Sequence, residues 1–259
     1  MFRLPSPLER LDDERLAGLR VFVKRDDLIH PDFPGNKWRK LKYNLPPARS
    51  TVLTFGGAYS SHLRATAAAG RHFGFKTVGV VRGEERLPLN PVLSAAVADG
   101  MALTYVSRST YRLGASPGLL SDLTARYGDF HLIPEGGAND AGRRGCAELV
   151  DEIDEPFDVI CCSVGTGTTL AGIAGRLKPS QRAIGYAAIK GHRPHPDVEP
   201  GFHFGGYAKR TAELDAFIAD FRERHGITLD WVYEAKMMYG IVAQAGRFPP
   251  GATLIAVIA

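Results

Sequence analysis

Short apolar runs alternate with helical periodicities along most of this chain. Four runs rich in β-branched and aliphatic residues predict strands, at 51–55, 77–81, 102–106 and 157–162. The last run is almost continuously apolar, which is typical of a strand buried on both faces. Between the runs lie helical stretches, such as the alanine-rich one at 59–73 that Gly74 closes. This alternation predicts an α/β fold with mainly parallel sheets and right-handed crossovers.

The same order of elements continues toward both ends of the chain. Further strands are predicted at 19–24, 130–133, 183–189 and 253–258. Further helices are predicted at 91–98, 118–127, 140–153, 211–225 and 237–245. A helix that begins at Lys37 is expected to end near the consecutive prolines Pro46 and Pro47. The segment 190–206, rich in Pro, His and Gly, breaks the pattern, and we expect it to form a loop beside a cleft.

The composition is that of a globular chain, and it narrows the class of ligand. The 259 residues are 44% hydrophobic and 23% charged, which suffices for one large core or two α/β lobes. The 32 basic and 28 acidic residues give a net charge of +4 without a long basic block. This balance does not indicate nucleic-acid binding, but it suits an anionic small molecule such as a phosphorylated cofactor or a carboxylate.

Neither the cysteines nor the histidines form a metal-binding pattern. The three cysteines have no disulfide or metal-ligand spacing, which indicates a reducing compartment. The loop histidines His192, His195 and His203 match no common ligand spacing, so no metal is expected. The N-terminus lacks the apolar core of a signal peptide, and no run is long enough to span a bilayer. We therefore expect a cytoplasmic protein that does not bind membranes.

A candidate reactive lysine lies in the segment Gly35-Asn36-Lys37-Trp38-Arg39-Lys40. The Gly-Asn pair can form a tight turn, which places Lys37 at a helix start and Lys40 one turn further along the same face. Positions 37–42 carry four cations, which is also typical of a solvated basic helix. The segment alone leaves both interpretations open.

A glycine-rich junction follows the predicted strand at 157–162 and leads into a helix that extends to residue 177. Its sequence is Ser163-Val164-Gly165-Thr166-Gly167-Thr168-Thr169. Glycines let the backbone approach a ligand closely, successive amides can converge on an anion, and threonine hydroxyls add donors. The Gly-Lys-Ser/Thr ending of a nucleotide P-loop is absent, as is the third glycine of a dinucleotide motif. The junction therefore predicts either phosphate binding or a tightly packed turn.

Five segments occur in an order that resembles one known family. They are Gly35-Asn36-Lys37-x-Arg39-Lys40-Leu41, Gly56-Gly57-Ala58-Tyr59-Ser60-Ser61-His62, Pro134-Glu135-Gly136-Gly137, Gly165-Thr166-Gly167-Thr168-Thr169 and Val232-Tyr233-Glu234-x-Lys236-x-Met238-x-Gly240. Together they resemble the pyridoxal-phosphate-dependent family that contains 1-aminocyclopropane-1-carboxylate (ACC) deaminase and D-cysteine desulfhydrase. The resemblance covers essentially the whole chain.

The resemblance implies the tryptophan-synthase-β-like fold, also called fold type II, with two doubly wound lobes. The smaller lobe would comprise 48–127, inserted in a larger cofactor-binding lobe of 1–47 plus 128–259. The site would lie between the lobes, at the carboxyl ends of the strands. A homodimer is also implied.

Pyridoxal 5'-phosphate is the cofactor that this family implies. Lys37 would bond covalently to the cofactor aldehyde and later move the substrate proton, with support from Asn36. Glu234 would hydrogen-bond to the pyridine nitrogen and keep it protonated, so that the ring stabilises a carbanion. The phosphate would be bound by Gly165, Thr166, Gly167, Thr168 and Thr169.

The family pattern also implies which residues contact the substrate. Ser60, at the start of the helix after the glycine turn, would contact the substrate carboxylate or relay protons. Tyr233 would lie beside the substrate, and Tyr207 would correspond to a second active-site tyrosine. His62 matches the Ser-Asn-His of desulfhydrases, whereas Ser61 replaces an asparagine expected near the phenolic oxygen of the cofactor.

The implied activity is that of a deaminating lyase acting on a small amino acid. We expect a D-cysteine desulfhydrase that releases sulfide, a 2-keto acid and ammonia. One alternative is ACC deaminase, which the carboxylate of Glu234 favours and which yields 2-ketobutyrate and ammonia. Another is a non-catalytic protein that binds pyridoxal phosphate, because the sequence stops at Ala259 where relatives continue into a Gly-Gly turn at the cofactor.

Overall fold

The computed structural model describes residues 1–33, 35–191 and 195–259, and these form ten strands and nine α-helices. The strands are β1 (Leu8–Leu11), β2 (Arg20–Arg25), β3 (Thr51–Gly56), β4 (Lys76–Arg82), β5 (Met101–Val106), β6 (His131–Ile133), β7 (Val159–Val164), β8 (Arg182–Ala187), β9 (Val198–Glu199) and β10 (Thr253–Ile258). The helices are α1 (Lys37–Leu41), α2 (Ser61–Phe73), α3 (Pro91–Ala98), α4 (Arg108–Arg112), α5 (Pro117–Tyr127), α6 (Asp140–Asp151), α7 (Thr168–Ala174), α8 (Ala212–His225) and α9 (Glu234–Ala243).

The strands form two separate sheets. The larger sheet has the order β1-β2-β10-β7-β8-β9, and the smaller has the order β5-β4-β3-β6. Every neighbouring pair in these sheets is parallel except β1 and β2, which are antiparallel. The predicted α/β fold with mainly parallel sheets is confirmed.

The larger sheet is buried on both faces, as the apolar run at 157–162 predicts. Val159 and Cys161 of β7 pack into one apolar cluster together with Phe221 of α8. Ile160 lies in a second cluster on the other face, together with Ile173 of α7. Because successive side chains of a strand point to opposite faces, a strand covered by helices on both sides must be apolar at nearly every position.

Strand β6 belongs to the smaller sheet, where Leu132 lies opposite Leu53 of β3. It follows residue 127 in the chain, where the sequence places the end of the smaller lobe. The lobe boundaries themselves remain a prediction. The pairing of β6 brings residues just after it, from Pro134 onward, to the carboxyl edge of the smaller sheet.

Helix α1 ends at Leu41, so the expectation that it continues to Pro46 was wrong. The side chain of Asn44 donates a hydrogen bond to the Lys40 carbonyl oxygen at 2.6 Å and another to Asn139 Oδ1 at 3.1 Å. These side-chain contacts replace the helical hydrogen bonds that would otherwise continue the helix. The short helix is thereby fastened to the start of α6.

Helix α9 begins at Glu234, earlier than the predicted start at 237. The carboxylate of Asp230 accepts hydrogen bonds from the backbone N–H groups of Val232 and Tyr233, at 2.9 and 2.8 Å. This turn directs the chain into the helix one residue after Tyr233. The short elements β1, α4 and β9 were not predicted, because each is only two to five residues long.

Of the three histidines in the 190–206 loop, the structure describes two, and each of these forms a hydrogen bond with its own stretch of backbone. His192 lies outside the described residues, whereas His195 and His203 each accept a hydrogen bond from the backbone two residues later. Within the described ranges, no group of three or more His, Cys, Asp or Glu side chains could hold a metal ion. No helix in the same ranges has the length and apolar character needed to cross a membrane.

A buried ion network centred on Arg39 fastens α1 to the larger sheet and to α6. The Arg39 guanidinium donates to Asp26 Oδ2 at 2.7 Å and to Glu152 Oε1 at 2.8 Å, and its side chain is 1% exposed. Lys24 donates to Glu152 at 3.0 Å, and Ser6 donates to Asp26 at 2.7 Å. Although burial raises the pKa of Glu152, the hydrogen bonds and charge of Arg39 lower it to about 2.

We expect Arg39→Met to lower the free energy of unfolding by about 3–5 kcal/mol, because it leaves Asp26 buried without a cation and leaves Glu152 with Lys24 alone. Arg176→Met is the matched control, since Arg176 and Asp151 form an exposed pair worth about 0–1 kcal/mol. Urea denaturation of the two variants and the wild type measures both effects. Equal destabilisation by the two substitutions would contradict the role assigned to the network.

The network also sets a pH dependence. Because the pKa of Glu152 is lowered to about 2 in the folded protein, its contribution to stability is present above the ordinary carboxyl pKa and is lost as the pH falls toward 2. We therefore expect urea denaturation at pH 7, 5 and 3.5 to show that the free energy of unfolding falls more steeply for the wild type than for Arg39→Met.

Candidate active site

A cavity of about 480 Å³ opens between the two sheets, and the predicted site residues converge on it. Parallel strands place the segments that follow them at one edge of a sheet, and the two sheets face each other at those edges. The predicted residues that line the cavity are Asn36, Lys37, Ser60, Ser61, His62, Gly165, Thr166, Gly167, Thr169, Tyr207, Tyr233 and Glu234. Thr168 is the exception, because its side chain is buried beneath the glycine-rich loop, with its hydroxyl 3.0 Å from that of Thr166.

Lys37 lies at the first position of α1, and its amine is held by a short chain of hydrogen bonds. Lys37 Nζ donates to Asn36 Oδ1 at 2.8 Å, and Asn36 Nδ2 donates to Thr169 Oγ1 at 3.1 Å. The lysine is thus connected to the glycine-rich loop after β7. Burial, followed by the positive charge of Lys40, lowers the pKa of Lys37 to about 8. A substantial fraction of neutral, nucleophilic amine is therefore present near neutral pH.

The tight turn before Lys37 depends on a glycine. Gly35 has a φ of +58°, and a Cβ atom there would lie 1.7 Å from the carbonyl carbon of Ala259. No side chain fits in so short a distance, so the turn requires both the left-handed conformation and the missing Cβ of glycine. This explains physically why Gly precedes Asn-Lys.

Glu234 lies at the start of α9 and places a carboxyl group at the cavity. One oxygen of this group lacks a hydrogen-bond partner among the described residues. Its side chain is 4% exposed, and its Oε2 atom has no hydrogen-bond partner among the described residues. Burial and the nearby charge of Asp230 raise the pKa of Glu234 well above its ordinary value, against the opposite effect of Lys37. A buried oxygen without a partner is costly, and it fits a ligand that presents a polar N–H or N atom here.

The loop between β7 and α7 forms an open cradle on another side of the cavity. Gly167 has a φ of +83°, and a Cβ atom added there would meet nothing within 4 Å. At Gly165, a Cβ atom would lie 3.2 Å from the ring of Tyr233, so this glycine leaves room for the tyrosine. The cradle therefore exposes backbone and threonine hydroxyls to a ligand.

Lys40 faces the same cavity and was absent from the predicted site residues. It is 7% exposed, and burial lowers its pKa. A buried ammonium group is stabilised by an anionic ligand, and Lys40 lies one helical turn after Lys37, as the spacing predicts. The signal in the sequence was this spacing, but it did not distinguish a ligand contact from a solvated lysine.

His62 is held as a neutral hydrogen-bond acceptor. Thr54 Oγ1 donates to the Ile133 carbonyl oxygen at 2.7 Å, so it accepts from His62 Nε2 at 3.0 Å. The remaining ring nitrogen, Nδ1, therefore carries a lone pair and has no partner among the described residues. Burial, followed by the charges of Lys40 and Lys37, lowers the pKa of His62 to about 3, so the ring is uncharged at neutral pH.

Ser60 and Ser61 lie where α2 begins. The Ser60 hydroxyl caps the helix by accepting a hydrogen bond from the Leu63 N–H at 3.3 Å. The free N–H groups and positive end of this 13-residue helix point toward the cavity that both serines line. This arrangement suits a carboxylate.

Two tyrosines close the cavity on the side of α9. The rings of Tyr207 and Tyr233 are 6.4 Å apart in an edge-on arrangement, and burial raises the pKa of both. Behind them, the fully buried Lys236 donates to the carbonyl oxygens of Gly206 at 2.7 Å and Ala188 at 3.2 Å. Lys236 therefore joins α9 to the loop that carries Tyr207, a role that the sequence motif did not reveal.

Several further charged residues line the cavity without having been predicted. Each of them lies at or after the end of a strand, or near Tyr207. They are Arg82, Glu135, Lys190 and Lys209. Arg82 ends β4, Glu135 follows β6 and Lys190 follows β8. The rule that ligands bind at the carboxyl ends of parallel strands could have indicated these positions.

Comparison with known proteins agrees with this geometry. A sequence model of the family described as "Pyridoxal-phosphate dependent enzyme" matches residues 1–198. A putative 1-aminocyclopropane-1-carboxylate deaminase of Thermotoga maritima is 30% identical, over 92% of this chain and 88% of its own length. A mitochondrial bifunctional D-cysteine desulfhydrase/1-aminocyclopropane-1-carboxylate deaminase of Arabidopsis thaliana is 28% identical, over 95% of this chain and 73% of its own.

A solved structure has the same fold over nearly the full length. The crystal structure of an ACC deaminase homologue superimposes with a TM-score of 0.84 at 27% identity, and the match covers 99% of this chain and 89% of that one. The resemblance inferred from the five segments is confirmed. The chain belongs to the family of pyridoxal-phosphate-dependent enzymes, and pyridoxal phosphate is its cofactor.

Proposed function

We propose that this enzyme is a deaminating lyase that acts on a small amino acid, and that D-cysteine is its substrate. The observation that carries the proposal is the buried carboxyl of Glu234, whose Oε2 has no described partner, in a cavity that also holds Lys37. These two groups fit the nitrogen and the aldehyde of the cofactor. Bound pyridoxal phosphate supplies an electron sink for the α-carbon of an amino acid.

Glu234 acts on the ring nitrogen of the cofactor. Burial and the nearby charge of Asp230 raise the pKa of Glu234, which favours the protonated form of this carboxyl. With the cofactor bound, Glu234 would hold a proton at the ring nitrogen and pair with it as a carboxylate, which would give its buried oxygen a partner.

Lys37 holds the cofactor and moves the α-proton. Its amine would hold the cofactor through the aldehyde, and with an amino acid in that place the lysine amine would serve as a base beside the α-carbon. The hydrogen bond to Asn36 keeps the amine inside the cavity. Its lowered pKa keeps a usable fraction of the base unprotonated near pH 7 to 8.

The cofactor phosphate is held by the loop of Gly165 to Thr169 together with Lys40. The loop supplies backbone N–H groups and hydroxyls, and Lys40 supplies a buried positive charge. On the substrate side, Ser60 and Ser61 receive the carboxylate at the start of α2. His62 offers a neutral acceptor for an ammonium or hydroxyl proton.

With D-cysteine, the α-proton passes to Lys37 and the C–S bond breaks with its electron pair on sulfur, so that sulfide leaves. Water then hydrolyses the remaining unsaturated amine to pyruvate and ammonia. The name of the Arabidopsis relative includes D-cysteine desulfhydrase, and His62 matches the desulfhydrase pattern. These two features support D-cysteine.

ACC deamination is the second candidate. The names of both relatives include ACC deaminase, and Glu234 favours this chemistry. ACC has no α-hydrogen, so opening its ring requires attack or proton transfer at a ring carbon. Tyr233 and Ser60 line the same cavity and supply hydroxyl groups for that task.

Incubation of the purified holoenzyme with D-cysteine, L-cysteine and ACC distinguishes these activities. We expect sulfide and pyruvate from D-cysteine, and 2-ketobutyrate from ACC would instead support the second candidate. Sulfide from L-cysteine alone would contradict D-cysteine as the substrate. Bound cofactor without turnover of any of the three would show a non-catalytic protein.

Lys37→Ala is expected to lower the turnover of the accepted substrate by about 10²–10⁴-fold, because both the covalent attachment and the base are removed. Lys42→Ala is the control, since Lys42 pairs with Glu148 and does not line the cavity. Borohydride reduction followed by mass spectrometry then locates the cofactor. Retention of a reducible bond in Lys37→Ala would show that another lysine holds it.

The lowered pKa of Lys37 can be measured in the cofactor-free protein. We expect competitive labelling with acetic anhydride to show a midpoint near pH 8 at Lys37, against the ordinary value of 10.5. Lys40→Met removes a nearby positive charge and is expected to raise this midpoint, whereas Lys42→Met leaves it unchanged. A midpoint near 10.5 in the unaltered protein would contradict the assigned environment.

Lys236→Met tests whether the wall that carries Tyr207 is held by this lysine. Loss of its two hydrogen bonds is expected to raise KM about tenfold or more with a smaller change in kcat, since the substrate pocket loosens while Lys37 and Glu234 remain. Lys236→Arg, which keeps a cation and donors, is expected to recover part of the loss. An equal loss in both variants, matched by the fall in Tm, would indicate a purely structural residue.

A further inference from the structure

Three cations line the outer part of the cavity, away from the groups assigned to the cofactor. They are Arg82 at the end of β4, Lys190 shortly after β8, and Lys209 after the Gly205-Gly206-Tyr207 turn. All three residues are exposed, and none forms a hydrogen bond or ion pair through its side chain with another described residue. Their charges are therefore available to a ligand in the cavity.

Arg82 extends over the turn that precedes α2. A Cβ atom on Gly57 would lie 3.5 Å from Arg82 Nη2 and 3.6 Å from Tyr207 Oη. The Arg82 guanidinium carbon lies 5.9 Å from the centre of the Tyr207 ring and 5.6 Å from that of Tyr111. Contact with two aromatic rings orients the planar group without neutralising it.

The two lysines belong to the facing wall. A Cβ atom on Gly206 would lie 3.2 Å from Lys190 Cβ, and one on Gly205 would lie 3.5 Å from Lys209 Cβ. Both lysines thus flank the turn that leads into Tyr207. Arg82 lies beside the turn at Gly57 and the lysines lie beside the turn at Gly205-Gly206, and all three residues line the same cavity.

The charges that line the cavity exceed what the cofactor and a simple amino acid require. Lys37, Lys40 and Glu234 are assigned to the cofactor, and the start of α2 suits the substrate carboxylate. Arg82, Lys190 and Lys209 then remain, against the single carboxylate of Glu135. A neutral side chain, or the bare thiol of cysteine, leaves this excess of positive charge unused.

We propose that Arg82, Lys190 and Lys209 form a subsite for an acidic group on the substrate side chain, with a β-phosphate as its best-matched occupant. This inference rests on the proposed lyase function and adds to D-cysteine a second class of substrate, small amino acids with an acidic β-substituent. A guanidinium binds phosphate oxygens through two parallel N–H donors, and two lysines add point charges to a dianion.

The chemistry balances with O-phosphoserine in place of cysteine. Lys37 takes the α-proton, the β-carbon–oxygen bond breaks with its electron pair on the phosphate oxygen, and inorganic phosphate leaves. Water hydrolyses the remaining unsaturated amine to pyruvate and ammonia. Arg82 stabilises the charge that remains on the departing group.

Glu135 opposes an anion but does not cancel the subsite. It lies on the wall that follows β6, where its charge adds to burial in raising the pKa of Tyr111. With three cations present, a dianion gains more attraction than a monoanion, while the repulsion comes from a single carboxylate. The subsite therefore favours phosphate over a neutral hydroxyl at the same position.

The test compares serine with O-phosphoserine, which differ only in the phosphate, in both enantiomers with the holoenzyme. We expect kcat/KM, measured as pyruvate formation, to be at least about tenfold higher for one enantiomer of O-phosphoserine than for the matching serine. Arg82→Gln is expected to lower this ratio about tenfold or more. Arg86→Gln, an exposed arginine that does not line the cavity, is the matched control and leaves the ratio unchanged.

A binding measurement separates recognition from turnover. Isothermal titration calorimetry of the cofactor-loaded Lys37→Ala variant is expected to show tighter binding of O-phosphoserine than of serine. The ratio of the two affinities is expected to fall as salt is added. A wild-type ratio of one or less, or a ratio that Arg82→Gln does not change, overturns the subsite. Turnover of D-cysteine in the same preparation tests the lyase function independently, so a failure of the subsite is distinguishable from a failure of that function.

Discussion

The buried ion network of Arg39 is the constraint on which the geometry of the site depends. Helix α1 has only five residues, too few to be stable by its own hydrogen bonds, yet it carries both Lys37 and Lys40. Arg39 fastens it through Asp26 and Glu152, and α6 packs so closely that a Cβ atom on Gly145 would lie 1.8 Å from the Arg39 carbonyl oxygen. The two lysines are therefore positioned by a neighbour that never enters the cavity.

The same rigidity holds two buried lysines and a buried carboxyl group beside one cavity. The positive charge of Lys40 adds to burial in lowering the pKa of Lys37, and Oε2 of Glu234 has no partner among the described residues, so both features cost free energy. A ligand with a basic ring nitrogen and a phosphate relieves these costs together. Since such a ligand binds the folded state alone, its binding energy adds to the stability of the fold.

The sequence predicted most of what depends on local pattern. The apolar run of β7, the alternation of strands and helices, and the glycine turn before Lys37 follow from periodicity and glycine positions. The roles expected of Lys37 and Glu234 came instead from the resemblance of five segments to a known family. What could not be predicted depends on contacts distant in the chain. The early end of α1 is set by Asn44 and Asn139, and the contacts of Lys236 are made with carbonyl oxygens 30 and 48 residues away. The direction in which Arg82 points likewise depends on Gly57 and Tyr207, which no local pattern connects with it.

The two sheets position different residues of the site, and this bears on substrate specificity. Lys37, Glu234 and the loop of Gly165 to Thr169 are placed by elements joined to the larger sheet, whereas Ser60 and Arg82 are placed by the smaller one. Substitutions at the carboxyl edge of the smaller sheet therefore change the charge and shape that the substrate meets, while the hydrogen bonds from Lys37 through Asn36 to Thr169 remain intact. Under the proposed assignment, substitutions at Ser60 or Arg82 therefore alter the substrate side of the cavity without removing the groups that hold the cofactor, whereas Tyr207, Lys190 and Lys209 reach the substrate side from the larger sheet.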